Sequence, residues 1–220
     1  MSIADRRTYL ANIVDELKTQ WPENRTVNIV CHGHSVPAGY HSWATVETFK
    51  SYPHLFHCGL KERFAFAVVN VIVTAIGGEE SDKGAARFDS EVLNHNPRVL
   101  TIDYGLNDRR IGLEKAEASW RSMIEKSLQR DIELVLLTPT HDNSGLVGPP
   151  EYWESLRQQA GQIRKLADEY EVGLVDSFAL YERCVGSGGD LSDLLSWPNH
   201  PNRNGHQLVA DDLLRWFPIG

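Results

Sequence analysis

Along this chain, short apolar runs rich in β-branched residues repeatedly give way to a turn and then to a segment with helical periodicity. The runs lie at 27–30, 66–75, 99–103, 132–138 and 172–175. Helical patterns fill 4–20, 84–94, 112–130, 151–170 and 207–217, with a shorter one at 178–184. Parallel strands need a crossover of a dozen or more residues, and helices of this length supply it while covering the sheet. The alternation therefore predicts an α/β fold, with about five parallel strands and helices on both faces. The segment 40–64 is less regular: it carries Tyr40, Trp43, Phe49, Tyr52, Phe56 and Phe64 around Pro53 and reads as a loop with short helices. Residues 141–150 read as a Gly/Pro-rich loop, and 186–189 as a flexible glycine segment.

With 220 residues, 41% of them hydrophobic, the chain can bury a substantial core. It has no internal repeat, low-complexity tract or linker. One domain over 1–220 is expected, with 1–26 as an N-terminal helix and lead-in and 27–217 as the core. The net charge of −8, with no basic block, argues against nucleic acid or an anionic membrane as partner. Cys31, Cys58 and Cys184 are odd in number and widely spaced, which favours a reducing compartment over a disulfide framework. The first 21 residues lack a continuous apolar segment, so a cytoplasmic location is expected. The oligomeric state is not legible.

The first run opens the stretch VNIVCHGHSVPAG at 27–39, which places Ser35 on a glycine-flanked turn at the carboxyl end of a strand. Open α/β sheets bind ligands at that edge. A serine hydroxyl becomes a useful nucleophile only beside a base, and attack on a carbonyl needs donors aimed at the oxyanion. His200 can be the base, because Pro201 excludes helix at His200 and leaves it on a loop. The backbone N–H groups of Ser35 and Gly78 and the side-chain amide of Asn107 can form the oxyanion hole. Asp108 is expected to hold its loop, and His206 to cap or pack the last helix. Asp103 and Asp176 are either caps or partners of other side chains. The histidines and cysteines at 31–58 fit neither a C-x-x-C nor an H-E-x-x-H spacing, so no metal is expected. Glu79 and Glu80 after Gly77-Gly78 would repel a phosphate.

Taken together, Gly33-His34-Ser35, Gly78, Gly105-Leu106-Asn107-Asp108 and His200-Pro201-Asn202 resemble, in order, the four blocks of the SGNH hydrolases, also called GDSL esterases and lipases. The resemblance runs from Val27 to the C-terminal helix. It implies a three-layer, flavodoxin-like α/β/α sandwich, Ser35 as nucleophile, His200 as base, and Ser35, Gly78 and Asn107 as the oxyanion hole. No cofactor is implied. Two positions depart from the pattern. His34 stands where the family usually has Asp, and Trp197 occupies the place of the family's triad acid, three residues before the histidine. Either Asp193, the nearest acid in sequence, or a backbone carbonyl must then orient His200, and a Ser-His dyad is the reading adopted. The expected activity is hydrolysis of a small-molecule ester with a short acyl group such as acetyl. The alternative is a non-catalytic ligand- or carbohydrate-binding module descended from such a hydrolase. A flavodoxin-like mononucleotide binder is a third reading, opposed by the missing phosphate loop.

Overall fold

The structure, a computed structural model, describes residues 2–42, 45–197 and 199–219; Trp43 and Pro198 lie outside them. β1 (Thr26–Gly33), β2 (Val68–Val73), β3 (Val99–Asp103), β4 (Glu133–Leu137) and β5 (Gly173–Val175) form one parallel sheet. Their order is β2-β1-β3-β4-β5, that of flavodoxin-type sheets. Successive strand side chains point to opposite faces, so each apolar run supplies two cores. Ile29 and Cys31 of β1 join Val135 and Leu137 of β4 in one. Val30 joins Leu100 and Ile102 of β3 and Leu134 and Leu136 of β4 in the other.

The first core is covered by α1 (Ala11–Lys18), α3 (Tyr52–Arg63) and α10 (Arg203–Leu214), and the second by α6 (Leu113–Leu128) and the C-terminal half of α8 (Pro150–Glu169). Two helical layers thus enclose the sheet, giving the expected three-layer sandwich. Each fully buried Leu or Ile contributes about 1.5–3 kcal/mol relative to exposure.

Three elements differ from the sequence reading. Within 40–64 lies α3, a 12-residue helix with Pro53 in its first turn, where a missing N–H interrupts no hydrogen bond. Its Tyr52 N–H donates to Nδ1 of the buried His206 at 3.2 Å, so His206 caps α3 as well as packing α10. The 84–94 region is two short helices, α4 (Ser81–Ala86) and α5 (Phe88–Glu91), interrupted at Arg87. The strand expected to be fully buried, β2, is an edge strand with Val68 and Val73 exposed. Its edge is capped by side chains of α3: Lys61 Nζ donates to the Ala67 carbonyl and His57 Nε2 to the Val69 carbonyl.

β1 leads to α3 on one face and its neighbour β3 leads to α6 on the other, which opens a crevice between their carboxyl ends. Gly33 is required at this point: a Cβ there would lie 2.4 Å from the Asp103 carbonyl oxygen. Among the described residues no helix is long and apolar enough to cross a membrane.

Candidate active site

Ser35 begins α2 (Ser35–Ala38), a single turn at the end of β1, and is buried in the crevice. The preceding residue is tied to β3 by a hydrogen bond from the His34 N–H to the Asp103 carbonyl at 3.2 Å. His200 arrives from the far end of the chain. It was expected on a loop, but it lies in β7 (His200–Pro201), which pairs antiparallel with β6 (Leu195–Trp197) and sets Trp197 opposite His200. The hairpin is fastened by the Ser196 hydroxyl, which donates to the His200 carbonyl at 3.2 Å. Behind it, Asn202 caps α10, accepting the N–H groups of Asn204 and Gly205 at 2.8 and 3.2 Å.

These supports bring His200 Nε2 to 2.9 Å from Ser35 Oγ. Tyr40 lies nearly parallel to the His200 ring at 6.1 Å. Burial lowers the His200 pKa to about 4. The imidazole is therefore neutral at pH 7, the form in which it can accept a proton.

The other expected participants follow β2 and β3. Gly78 has φ +77, the left-handed backbone that favours glycine, with open space where a Cβ would point. Asn107, nearly buried, donates one Nδ2 hydrogen to the Glu79 carbonyl at 3.0 Å, which leaves its second hydrogen for another acceptor. Below the Gly78 turn, the Glu79 carboxylate is clamped by Arg87 Nη2 at 2.6 Å and by the Tyr104 hydroxyl at 2.7 Å. Tyr104 lies 3.1 Å from His32 Nε2, and His32 Nδ1 lies 2.9 Å from the Thr74 hydroxyl. Asp108 accepts the Ser81 N–H at 2.8 Å and the Trp120 indole N–H at 2.7 Å, joining the loop after β3 to the turn after β2. Burial raises its pKa to about 6.

Asp193 is exposed, and among the described residues its carboxylate makes no hydrogen bond or ion pair; its carbonyl accepts from Asn202 Nδ2 at 2.9 Å. Among the described residues, no hydrogen bond engages His200 Nδ1. Asp176 caps α9 (Ser177–Gly186) and pairs with Arg164 at 2.8 Å. Asp103 faces His34 instead, Oδ1 to Nε2, at 3.5 Å. The sequence reading did not foresee the Glu79–Arg87–Tyr104 clamp, the Tyr40 ring beside His200, or the His34–Asp103 contact. Tyr104 with Glu79 and Tyr40 with His200 join residues far apart in sequence, and His34 with Asp103 is set by strand register.

A cleft of about 590 Å³ borders Asn107 and is lined by Arg109, Arg110, Tyr152 and Asn199 among others. Its cations are matched, Arg109 by Asp142 at 2.7 Å and Arg110 by Glu80 at 2.7 Å.

The model of the GDSL-like Lipase/Acylhydrolase family matches residues 31–208. By sequence, no curated protein matches the chain. Among solved structures, an acetylxylan esterase from Geobacillus stearothermophilus superposes with a TM-score of 0.76 at 18% identity, over 92% of this chain and 97% of the other. A two-domain esterase active on acetylated mannans gives a TM-score of 0.77 at 22% identity, over 98% of this chain and 54% of the other. At these identities the likeness establishes the fold.

Proposed function

The chain belongs to the GDSL-like lipase/acylhydrolase family and is a serine ester hydrolase, and we propose that it removes a short acyl group, acetyl above all, from an uncharged alcohol. The observation that carries this reading is the 2.9 Å contact between Ser35 Oγ and His200 Nε2 in a buried crevice. Ser35 Oγ attacks the ester carbonyl carbon while its proton passes to His200 Nε2. The oxyanion is met by the N–H groups of Ser35 and Gly78 and by the free Nδ2 hydrogen of Asn107. His200 then returns the proton to the leaving alcohol, and an acyl-Ser35 remains. Water, deprotonated by His200, attacks the acyl carbonyl and releases the acid and Ser35. The family and this chemistry imply a small-molecule ester as substrate. Paired cations beside Asn107 favour a neutral alcohol there, and the exposed Tyr152 ring offers a face on which a sugar ring can stack. The structural neighbours act on acetylated xylan and mannan, and we extend the acetylated-carbohydrate class to this chain.

Labelling with a fluorophosphonate, followed by peptide mapping, tests the reading. Ser35 is expected to carry the label, and Ser35→Ala to lose both labelling and hydrolysis of 4-nitrophenyl acetate. A folded protein that takes no label would favour the non-catalytic binding module. Comparison of acetyl, butyryl and octanoyl esters, and of acetylated xylobiose, tests the acyl length and the alcohol.

A further inference from the structure

His34 stands directly before Ser35 and is fully buried, and its two ring nitrogens have unlike neighbours. Nδ1 accepts the Val36 N–H at 3.2 Å and lies 3.4 Å from Ser35 Oγ. A nitrogen that accepts an N–H bears a lone pair, so the proton of the neutral ring sits on Nε2. Nε2 faces Asp103 Oδ1 at 3.5 Å and has no other partner among the described residues. Asp103 is also buried, at 4% exposure, and it ends β3 beside Gly33. A carboxylate facing an imidazole N–H is the element found at neither Trp197 nor Asp193.

We infer that Asp103 and His34 form a carboxylate–imidazole pair that positions Ser35, so that the acid of this site acts on the side of the nucleophile rather than through the base. The inference rests on the reading of Ser35 as nucleophile. Asp103 fixes the Nε2–H tautomer of His34, and that tautomer leaves Nδ1 as an acceptor. Nδ1 holds the first turn of α2 through the Val36 N–H and gives the Ser35 hydroxyl a second acceptor, confining its rotation to the arc between His34 and His200. With the Val36 N–H engaged by His34, the Ser35 N–H remains for the oxyanion; among the described residues no acceptor takes it. The contacts at 3.4 and 3.5 Å are longer than formed hydrogen bonds. Catalytic hydrogen bonds of ligand-free sites are often long and tighten as substrate docks.

Substitution Asp103→Asn would offer an N–H to His34 Nε2, which drives the ring proton to Nδ1, where it opposes the Val36 N–H. An asparagine at 34 keeps an acceptor near the Val36 N–H but cannot reach Asp103. A double-mutant cycle on a short-chain ester therefore separates the pair from general packing. Asp103→Asn and His34→Asn are each expected to lower kcat about 10²-fold, the loss typical of a misplaced reacting group, with KM unchanged. The double variant is expected to be no slower than His34→Asn alone, because in this arrangement Asp103 reaches Ser35 through His34. Full activity in Asp103→Asn, or the same loss in both backgrounds, overturns the pair. If a variant fails to fold, ¹⁵N-histidine correlation spectra of the unsubstituted protein still decide, since a His34 Nδ1–H tautomer would contradict the inference and Nε2–H supports it. Ser35→Ala serves as the control. Residual activity there would overturn the nucleophile reading, whereas an inactive Ser35→Ala beside a fully active Asp103→Asn removes the pair alone.

Discussion

The two sides of the crevice are held by different means. Asn107 and the Gly78 turn rest on a buried mesh in which Glu79, Arg87, Tyr104 and His32 are joined side chain to side chain, and Asp108 ties Ser81 to Trp120. His200 instead stands on a two-residue strand, fastened mainly through backbone and caps, with an aromatic ring alongside and no carboxylate among the described residues. On the proposed reading Asn107 and the Gly78 N–H are donors for developing charge, and such donors must keep their places without reorganising, since that is how preorganised dipoles lower a barrier. A neutral base needs only the right nitrogen within reach, so lighter support suffices.

The largest break in this comparison is expected at the lightly held residue. His200→Ala should lower kcat by roughly 10⁴-fold or more in steady-state ester hydrolysis, and adding Ser35→Ala should cost little further, because nucleophile and base act as a unit. An additive double variant would contradict the unit. Next is Asn107→Ala, with an expected loss of about 10²- to 10³-fold in kcat and little change in KM, the value of one preorganised donor. A change confined to KM would place Asn107 in substrate binding.

On the mesh side the expected damage is to stability. Asp108→Ala leaves the Trp120 indole N–H and the Ser81 N–H without their acceptor, at about 1–3 kcal/mol for each group that stays buried and unpaired. Urea denaturation would measure it, and an unchanged midpoint would mean the loop relaxes to find other acceptors.

The buried histidines and Asp108 titrate in opposite senses. Burial lowers the pKa of His32, His141 and His200 to about 4 and of His206 to about 3, from 6.5. Between pH 6.5 and about 4 the unfolded chain binds protons that these rings refuse, so they make stability fall as pH falls. Asp108, raised from 3.8 to about 6, binds a proton in the native state first and opposes the trend over its narrower window. With four groups against one, the melting temperature is expected to drop from pH 7 toward pH 4, while the acid limb of kcat/KM, set by His200, lies near pH 4. An acid limb near 6.5 would show His200 to be far better solvated than its surroundings imply. The smallest effect is expected from the exposed Asp193: Asp193→Asn should change kcat by less than about 2-fold, and a large kinetic loss at constant melting temperature would make it an orienting acid after all.

Much of this was legible because it is local. The apolar runs gave the five parallel strands, and the turns after them carry Ser35, Gly78 and Asn107 at one edge. What escaped was set by register and by pairs distant in sequence. Nothing near Glu79 announces Tyr104 as a partner, and His34 meets Asp103 only because β1 and β3 align Gly33 with Asp103. Pro53 misled as a breaker although it begins α3, whose buried Tyr52, Phe56 and Leu60 recur every fourth residue. The uninterrupted apolar run of β2 resembles a central strand, and its edge position follows from the connections rather than from its composition.

That edge has a consequence for how the protein ages in a tube. Residues 64–78 contain no charged side chain and include VVNVIV, the composition that stacks into intermolecular β-structure. In the folded chain the Ala67 and Val69 carbonyls are already taken by Lys61 and His57, so an incoming strand finds two of its bonding positions occupied. An incoming strand therefore meets this edge with part of its ladder already used, which lessens the hazard of the exposed strand as a template for pairing.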